Sequence, residues 1–294
     1  MKRCAFLTMA DPTGFVIDDD LAVAPLAALG WHVDRVPWTA NADWDAYDLV
    51  IVRSPWDYQH HADAFLAVLA EIEASAARLE NPLALVRWNL EKGYLRDLEA
   101  DSLAIVPTAW SQGLDATPGG WLDGCFGAFA TDQLIVKPTV SANADDTFWL
   151  TQPLDDTTRA MLASTFADRA CMVQPFVPAV LSEGEFSLFY FAGGYSHTIL
   201  KTPKPQDFRV QEEHGGLIRA IRAEPALREQ ADAVMATLHP APLYARVDFV
   251  RLPDGTFAVM EVELIEPALY LRMDADAPER FAHAVDAWMQ SLPG

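Results

Sequence analysis

The amino-acid sequence predicts an α/β protein that starts with a parallel sheet and ends with antiparallel hairpins. Short apolar segments such as Cys4–Met9 and Leu49–Arg53 alternate with helical patterns in the first third, which is typical of a parallel sheet covered by helices. In the last third, Ala192–Gly194 and Leu252–Gly255 place turn residues between strand-like segments. With a smaller α+β segment between these parts, we expect three lobes over residues 1–89, 90–177 and 178–294.

The element boundaries follow from hydrophobic periodicity and from helix-breaking residues. The first lobe is predicted to contain strands and helices at Cys4–Met9, Asp19–Leu29, His32–Pro37, Leu49–Arg53 and Ala62–Leu79. The middle lobe is predicted to contain elements at Leu90–Leu98, Leu134–Lys137, Thr157–Phe166 and Cys171–Phe176. The last lobe is predicted to contain elements at Phe186–Phe191, Tyr195–Lys201, Pro225–Leu238, Tyr244–Arg251, Thr256–Leu264 and Pro278–Leu292.

The composition argues against nucleic-acid and membrane proteins. The 294 residues include 21 basic and 42 acidic side chains, for a formal net charge of −21, whereas a nucleic-acid surface needs clustered lysine and arginine. No apolar segment approaches the roughly 20 residues of a transmembrane helix. The three cysteines are widely spaced, which is typical of reduced thiols in a cytoplasmic protein. The oligomeric state stays open, with a homodimer as one option.

The last predicted hairpin carries an unusual set of charges. A two-residue turn at positions 254–255 would place Asp248 opposite Glu261 and Arg246 opposite Glu263, all on one face. Opposed carboxylates favour a cation between them, and Mg²⁺ takes one or two carboxylates together with water and phosphate oxygens. The alternative is a solvated face with one Arg–Glu pair. The opposite face is predicted to be apolar and consists of Ala245, Val247, Phe249, Met260, Val262 and Leu264.

Only five lysines occur in the chain, so their positions are informative. Lys137 ends a predicted strand, and Lys92 lies early in a predicted helix. A lysine that enters a cleft commonly holds phosphate as a point charge, although each lysine alone is also compatible with a solvated surface position. The strand from Cys171 to Val177 offers backbone groups to an adenine edge.

Polar and aromatic residues follow two strands of the first lobe. Asp11 follows the first strand, and Arg53, Ser54, Trp56 and Tyr58 follow the third. The ligands of parallel sheets bind at such strand ends. A cation, a hydroxyl and aromatic walls suit an amino acid or a modified amino acid, whereas the alternative is ordinary turn chemistry.

Taken in order, these segments resemble the ATP-grasp superfamily, particularly its glutathione-synthetase-like branch with ligases of the cycloserine synthetase type. The resemblance implies an ATP-grasp fold with an N-terminal parallel α/β lobe, a central lid lobe and a C-terminal antiparallel-sheet lobe. It implies metal ligands at Asp248, Glu261 and Glu263. It implies ATP contacts at Lys92, Lys137, Ser141, Gln174, Phe176, Val177 and Glu185.

The resemblance also extends to the reacting groups. It places Arg209 and the pair Gly215–Gly216 near the transferred phosphate, and Lys201 and Arg246 near the substrate carboxylate or acyl phosphate. A plain salt-bridge role is the alternative for Lys201 and Arg246.

Two features depart from the family pattern. Glu263 replaces the usual asparagine ligand, which adds negative charge. The lid loop Val140–Thr147 lacks the family's glycines, so its phosphate contacts would need Ser141, Thr147 or the backbone at Asn143.

The resemblance implies an ADP-forming carbon–nitrogen ligase that uses ATP and Mg²⁺. Such an enzyme activates a small, amino-acid-like carboxylate as an acyl phosphate for attack by an amine, between molecules or by ring closure. One alternative is a nucleotide-binding regulatory protein of the same fold without ligase activity, which would release no ADP with any amino acid. Another is a metal-dependent hydrolase, which would act without ATP and would leave the two phosphate-type lysines unexplained.

Overall fold

A computed structural model describes residues 1–141 and 144–291, apart from the side chain of His60. Ala142 and Asn143 of the predicted lid loop, and Leu292 at the predicted end of the last helix, lie outside the described residues. The strands form three sheets. None of the described helices has the length and apolar character needed to cross a membrane.

The first sheet is parallel throughout, with the order β2-β1-β3-β4. Every residue of its central strand Leu49–Ser54 is buried, as expected for a strand covered by helices on both faces. The elements of this part are β1 Lys2–Thr8, α1 Val23–Ala28, β2 Trp31–Pro37, β3 Leu49–Ser54, α2 Ala62–Ala74, β4 Arg78–Glu80, α3 Leu83–Leu90 and α4 Tyr94–Ala100.

Three helix predictions in this part were wrong in extent. The predicted helix Asp19–Leu29 becomes a 3₁₀ turn followed by α1, because Pro25 is tolerated only in the first helical turn. The predicted helix Ala62–Leu79 ends at Ala74, and β4, with three residues, is too short to show a period. The predicted helix Leu90–Leu98 is two helices, with Lys92 in the turn between them and Gly93 at the start of the second.

The second sheet is antiparallel, with the order β5-β8-β6-β7. Its helix α6 begins at a side-chain cap, since Asp155 Oδ1 accepts a 2.7 Å hydrogen bond from the Thr158 amide. The elements are β5 Ala109–Ser111, α5 Trp121–Ala128, β6 Gln133–Pro138, β7 Phe148–Thr151, α6 Asp156–Thr165 and β8 Cys171–Pro175. The sequence did not predict β5, α5 or β7.

The third sheet is also antiparallel, with the order β11-β10-β9-β12-β13. The last helix packs between the first and the third sheet, because Phe281 shares a buried core with Phe6 of the first sheet and with Phe191 of the third. The elements are α7 Ala179–Ser182, β9 Glu185–Phe191, β10 Gly194–Thr202, β11 Leu217–Ile221, α8 Pro225–Thr237, β12 Tyr244–Arg251, β13 Phe257–Glu263 and α9 Ala277–Ser291.

Asn81 fastens the first lobe to the third sheet. Its fully buried side chain donates to Tyr244 O at 2.9 Å and Leu264 O at 2.7 Å, and it accepts from the Leu243 amide at 2.7 Å. We expect Asn81→Ala to lower the free energy of unfolding by about 3 kcal/mol, because buried backbone groups lose their partners. Urea denaturation measures this loss. The exposed Asn41→Ala is the control, and equal stability of the two variants would contradict the prediction.

Candidate active site

The hairpin β12–β13 brings the predicted charges together. Arg246 pairs with Glu263 across the two strands, and Asp248 pairs with Glu261, as the sequence predicted. Because side chains two positions apart share a face, these four groups lie on one side of the sheet.

The turn of this hairpin differs from the prediction. The Leu252 amide donates to Thr256 O at 2.8 Å, so the loop has three residues rather than two. A β-bulge between Asp248 and Phe249 absorbs the extra residue and restores the predicted pairing beyond it. The bulge also turns Met260 into the cleft described below, whereas the sequence placed it on the apolar core face.

A cleft of about 220 Å³ is bordered by residues from all three lobes. It contains most of the residues predicted from the sequence. Those that line it are Trp56, Tyr58, Lys92, Lys137, Ser141, Gln174, Phe176, Val177, Glu185, Lys201, Arg209, Arg246, Glu261 and Glu263.

One end of the cleft is an apolar slot that suits a flat aromatic ring. Phe176 stacks on Trp149 of β7, with 4.4 Å between the ring centroids. The Gln174 side chain is fixed beside it, donating to Thr108 Oγ1 at 2.9 Å. Sequence reasoning missed several apolar members of this slot because they come from four separate segments. These are Ile135, Val180, Phe208, Val210 and Met260.

Two buried lysines enter the middle of the cleft, Lys92 from the turn between α3 and α4 and Lys137 from the end of β6. The Lys92 ammonium lies 2.9 Å from Glu261 Oε1 and donates to Ser141 O at 2.9 Å. Lys137, at the end of β6, is only 9% exposed, and no described carboxylate forms an ion pair with it. Burial lowers the pKa of Lys137, and Glu261 partly opposes this effect. Lys137 is therefore a buried ammonium that lacks a direct counter-ion.

A dense ion-pair network forms the floor of the cleft. Lys201 lies 3.2 Å from Asp248 Oδ2 and also pairs with Glu185. Arg246 pairs with Asp248 at 3.1 Å and with Glu263. Burial lowers the pKa of Lys201, but Asp248 and Glu185 raise it above its ordinary value. Both cations therefore stay charged.

Asp248 was predicted to be a metal ligand, which would require it to line the cleft. It lies behind the cleft wall instead. It is 2% exposed, and Oδ1 accepts from Ser187 Oγ at 2.5 Å while Arg246 and Lys201 occupy the carboxylate further. The cleft-facing carboxylates of this set are Glu261 and Glu263.

In residues 1–141 and 144–291, no three acidic, histidine or cysteine side chains are arranged to hold a metal ion as they stand. The physical reason is that Glu261 is drawn to Lys92 and Glu263 to Arg246. The donor chemistry still fits magnesium, since hard carboxylate oxygens line the same cleft as two lysines.

Arg209 and the glycine pair lie on the loop between β10 and β11. Arg209 borders the cleft and pairs with Asp207 at 2.9 Å. Gly215 adopts a positive φ of 85°, and a Cβ on Gly216 would come within 2.0 Å of Val210 O. The resemblance places these glycines near the transferred phosphate, but they do not line the cleft, because the loop needs them for its tight path.

Three of the predicted substrate residues do not reach the cleft either. Arg53 is 1% exposed and donates to Asp19 Oδ1 and Pro267 O, each at 2.9 Å. Ser54 is fully buried, and Asp11 is exposed in a turn. The reason is that the loop after β13 covers the end of the central strand β3.

The sequence analysis missed the cleft residues of this covering loop, of which Glu266 and Tyr270 carry polar groups. Glu266 accepts a 2.8 Å hydrogen bond from the Tyr58 hydroxyl, and Tyr270 lines the cleft with a left-handed backbone, at φ 47°. Such a conformation is uncommon for a bulky residue and is found often at functional sites. The single available signal was a carboxylate three residues beyond Glu263, directly before Pro267.

The sequence is similar to that of a known protein over most of its length. Residues 4–81 match the family model described as "D-cycloserine synthetase DcsG, N-terminal domain". The cycloserine biosynthesis protein DcsG of Streptomyces lavendulae is 32% identical over 289 residues, which cover 94% of this chain and 96% of that protein.

Solved structures share the fold. The crystal structure of D-cycloserine synthetase DcsG superposes with a TM-score of 0.85 at 28% identity, covering 98% of this chain and 99% of that one. A RimK domain ATP-grasp protein from Sphaerobacter thermophilus gives 0.68 at 16% identity, covering 96% and 99%. D-alanine–D-alanine ligase from Bacillus anthracis, complexed with ATP, gives 0.68 at 15%, covering 99% and 98%, and these two show the fold alone.

The family resemblance and the α/β fold class predicted from the sequence are therefore confirmed. The apolar slot, the lysines and the carboxylates of the cleft are consistent with nucleotide use. The chain belongs to the family of the cycloserine biosynthesis protein DcsG, and it shares its fold with ATP-grasp proteins.

Proposed function

We propose that the protein uses ATP with magnesium to activate the carboxylate of a small, amino-acid-like molecule for attack by an amine. One observation carries the proposal: the buried ammonium groups of Lys92 and Lys137 enter the same cleft as the carboxylates of Glu261 and Glu263. Phosphoryl transfer needs this combination of positioned positive charge and metal-binding oxygens more than it needs covalent chemistry.

The reaction proceeds in two balanced steps. The γ-phosphoryl group passes from ATP to a substrate carboxylate oxygen, and ADP leaves. The amine nitrogen then attacks the carbonyl carbon, the bond from that carbon to the phosphate oxygen breaks, and the nitrogen loses a proton as phosphate departs. The related enzyme is named for D-cycloserine, a cyclic amino-acid derivative, which supports ring closure within one molecule.

The residues divide the electrostatic work. Lys92 and Lys137 neutralise the ATP phosphates, and Arg209 at the cleft edge stabilises the charge that develops on the transferred group. Lys201 and Arg246 supply positive charge at the floor of the cleft beside the acyl phosphate, although each is shared with carboxylates.

Magnesium would be held by Glu261 and Glu263, with Asp248 behind them as a buried counter-charge for Lys201 and Arg246. When bound, the ion supplies charge neutralisation and orientation of phosphate oxygens. The adenine would occupy the apolar slot at Phe176, and Glu185, which lines the same cleft, would hold the ribose. The substrate would lie at the end lined by Trp56 and Tyr58.

The test measures ADP and phosphate release with ATP, magnesium and a panel of amino acids and ureido amino acids of both configurations. We expect ADP and phosphate release with a restricted subset of the panel. Mass spectrometry should detect a product that is lighter than its substrate by one water molecule, as ring closure between a carboxylate and an amine requires. ATP binding without release for any member would instead indicate a nucleotide-binding regulatory protein. A product that combines two panel molecules would replace ring closure by intermolecular ligation.

A further inference from the structure

Glu266 differs from its neighbours in how its charge is balanced. The cleft carboxylates Glu185, Glu261 and Glu263 each pair with a lysine or an arginine. Glu266 lines the same cleft, but no described lysine or arginine forms an ion pair with it. Its side-chain partner is a neutral hydroxyl, since Tyr58 donates to Oε1 at 2.8 Å. A sheltered carboxylate without a counter-ion is costly unless a cationic ligand completes it.

The position of Glu266 is fixed from two sides. Trp56 Nε1 donates to the backbone oxygen of Glu266 at 2.8 Å, so Trp56 and Tyr58 both hold this residue. The Tyr58 ring is 5% exposed and stacks on Phe65, with 4.3 Å between the centroids. The Tyr58 hydroxyl therefore cannot move freely, and it holds Oε1 of a carboxylate that lines the cleft.

We propose that Glu266 binds the ammonium group of an amino-acid substrate and that Tyr58 is the positioning residue that orients this carboxylate. The proposal rests on the proposed function and adds the substrate class: a carboxylic acid that carries a free primary amine which does not react. An ammonium group brings three N–H donors and the missing positive charge. Its carboxylate would then point toward the lysines in the middle of the cleft.

The environment of Glu266 is consistent with this role. Burial raises the pKa of Glu266 to about 7, and the Tyr58 hydrogen bond opposes the rise. The more distant charges of Lys92 and Arg246 also lower this pKa, without forming an ion pair with Glu266. A bound ammonium would favour the ionised form. Trp56 and Tyr270 supply walls beside it, in the manner of small-molecule sites that combine apolar surface with a few polar anchors.

The experiment compares an amino acid that supports turnover with its α-hydroxy analogue, in which the ammonium is replaced by a hydroxyl. We expect the wild-type protein to prefer the amino acid by about 100-fold in kcat/KM, as for loss of a charge-assisted hydrogen bond. In Glu266→Gln this preference should fall below about 5-fold, mainly through the KM of the amino acid. Tyr58→Phe should reduce the preference by roughly 10-fold, because the carboxylate loses its orientation. The control is Glu229→Gln on the exposed face of α8, which should leave both values unchanged.

Three outcomes would overturn the proposal. An equal loss for both analogues in Glu266→Gln would indicate a merely structural carboxylate. A higher half-saturating concentration of magnesium would indicate a metal ligand. If carboxylic acids without an amine were turned over as fast as amino acids, ammonium binding by Glu266 would be excluded while the proposed ligase function would still hold.

A binding measurement separates this proposal from failure of the proposed function. The probe is D-cycloserine, a primary amine that appears in the name of the related enzyme. Its binding is measured by calorimetric titration in the presence of a non-hydrolysable ATP analogue. We expect binding by the wild-type protein that weakens by about 100-fold in Glu266→Gln, even if no panel member is turned over. Equal binding by both proteins, or none by the wild type, contradicts the proposal.

Discussion

Replacing Lys137 with alanine or methionine should reduce ATP-dependent phosphate release by about 10²- to 10³-fold while the protein stays folded. Lys137 is buried at the end of β6, it borders the cleft, and no described carboxylate pairs with it. Its charge is therefore available to an anionic ligand, whereas that of Lys92 is shared with Glu261. Removing this ammonium removes the least compensated positive charge in the cleft.

Stability should change in the opposite direction. A buried ammonium without a direct counter-ion is costly to desolvate, so Lys137→Met, which keeps the apolar stem, should unfold at the same temperature as the wild type or a higher one. Thermal unfolding without ATP measures this. Alanine should be less stable than methionine because it also leaves a cavity beside β8.

Lys2→Met provides a control for the change of residue type, since Lys2 lies on β1 and pairs with Asp286 of α9. It should retain phosphate release. Near-wild-type release by Lys137→Met would exclude Lys137 from phosphate binding, and a large loss in Lys2→Met would show that lysine replacement acts through the fold.

The sequence predicted long, strongly patterned elements well and short ones poorly. β12 was predicted at its observed bounds because eight residues alternate between the core and the charged face. β4 and β5 have three residues each, which is too few for a period to appear. The two charged pairs of the hairpin were correct although the turn was wrong, since the bulge between Asp248 and Phe249 compensates for the longer loop. Between the turn and the bulge, the pairing is shifted by one residue from the predicted one.

The residues of the cleft were predictable where chemistry and chain position agreed. Lys137 is a lysine at a strand end, and Glu261 alternates with Glu263 on one face, so both could be recognised locally. Arg53 is likewise a cation at the end of a strand, yet it is covered by Pro267, which is 214 residues away in the sequence. Only tertiary structure decides which strand-end cation is covered. Glu266 and Tyr270 were missed because they lie in a loop, where no sequence periodicity indicates which side chains face the cleft.

Glu261→Gln should reduce phosphate release by about 10²- to 10³-fold and raise the half-saturating magnesium concentration by roughly 10-fold or more. Burial raises the pKa of Glu261, but Lys92 and Lys137 lower it below its ordinary value, so this carboxylate is ionised at neutral pH. Glutamine keeps the shape and removes the charge. The protein loses an anionic oxygen for the proposed magnesium site, and Lys92 loses its partner.

Magnesium titration at fixed ATP separates these two losses. If Glu261 acts chiefly as a metal ligand, Glu261→Gln should need more magnesium and Lys92→Met should not. If Glu261 acts chiefly by holding Lys92, both variants should lose phosphate release at an unchanged magnesium requirement, because the 2.9 Å ion pair serves both. An unchanged requirement in Glu261→Gln would thus contradict the metal assignment while keeping Glu261 in the site. Full activity of Glu261→Gln would show that Glu261 has no role in the reaction, because the two side chains differ mainly in charge.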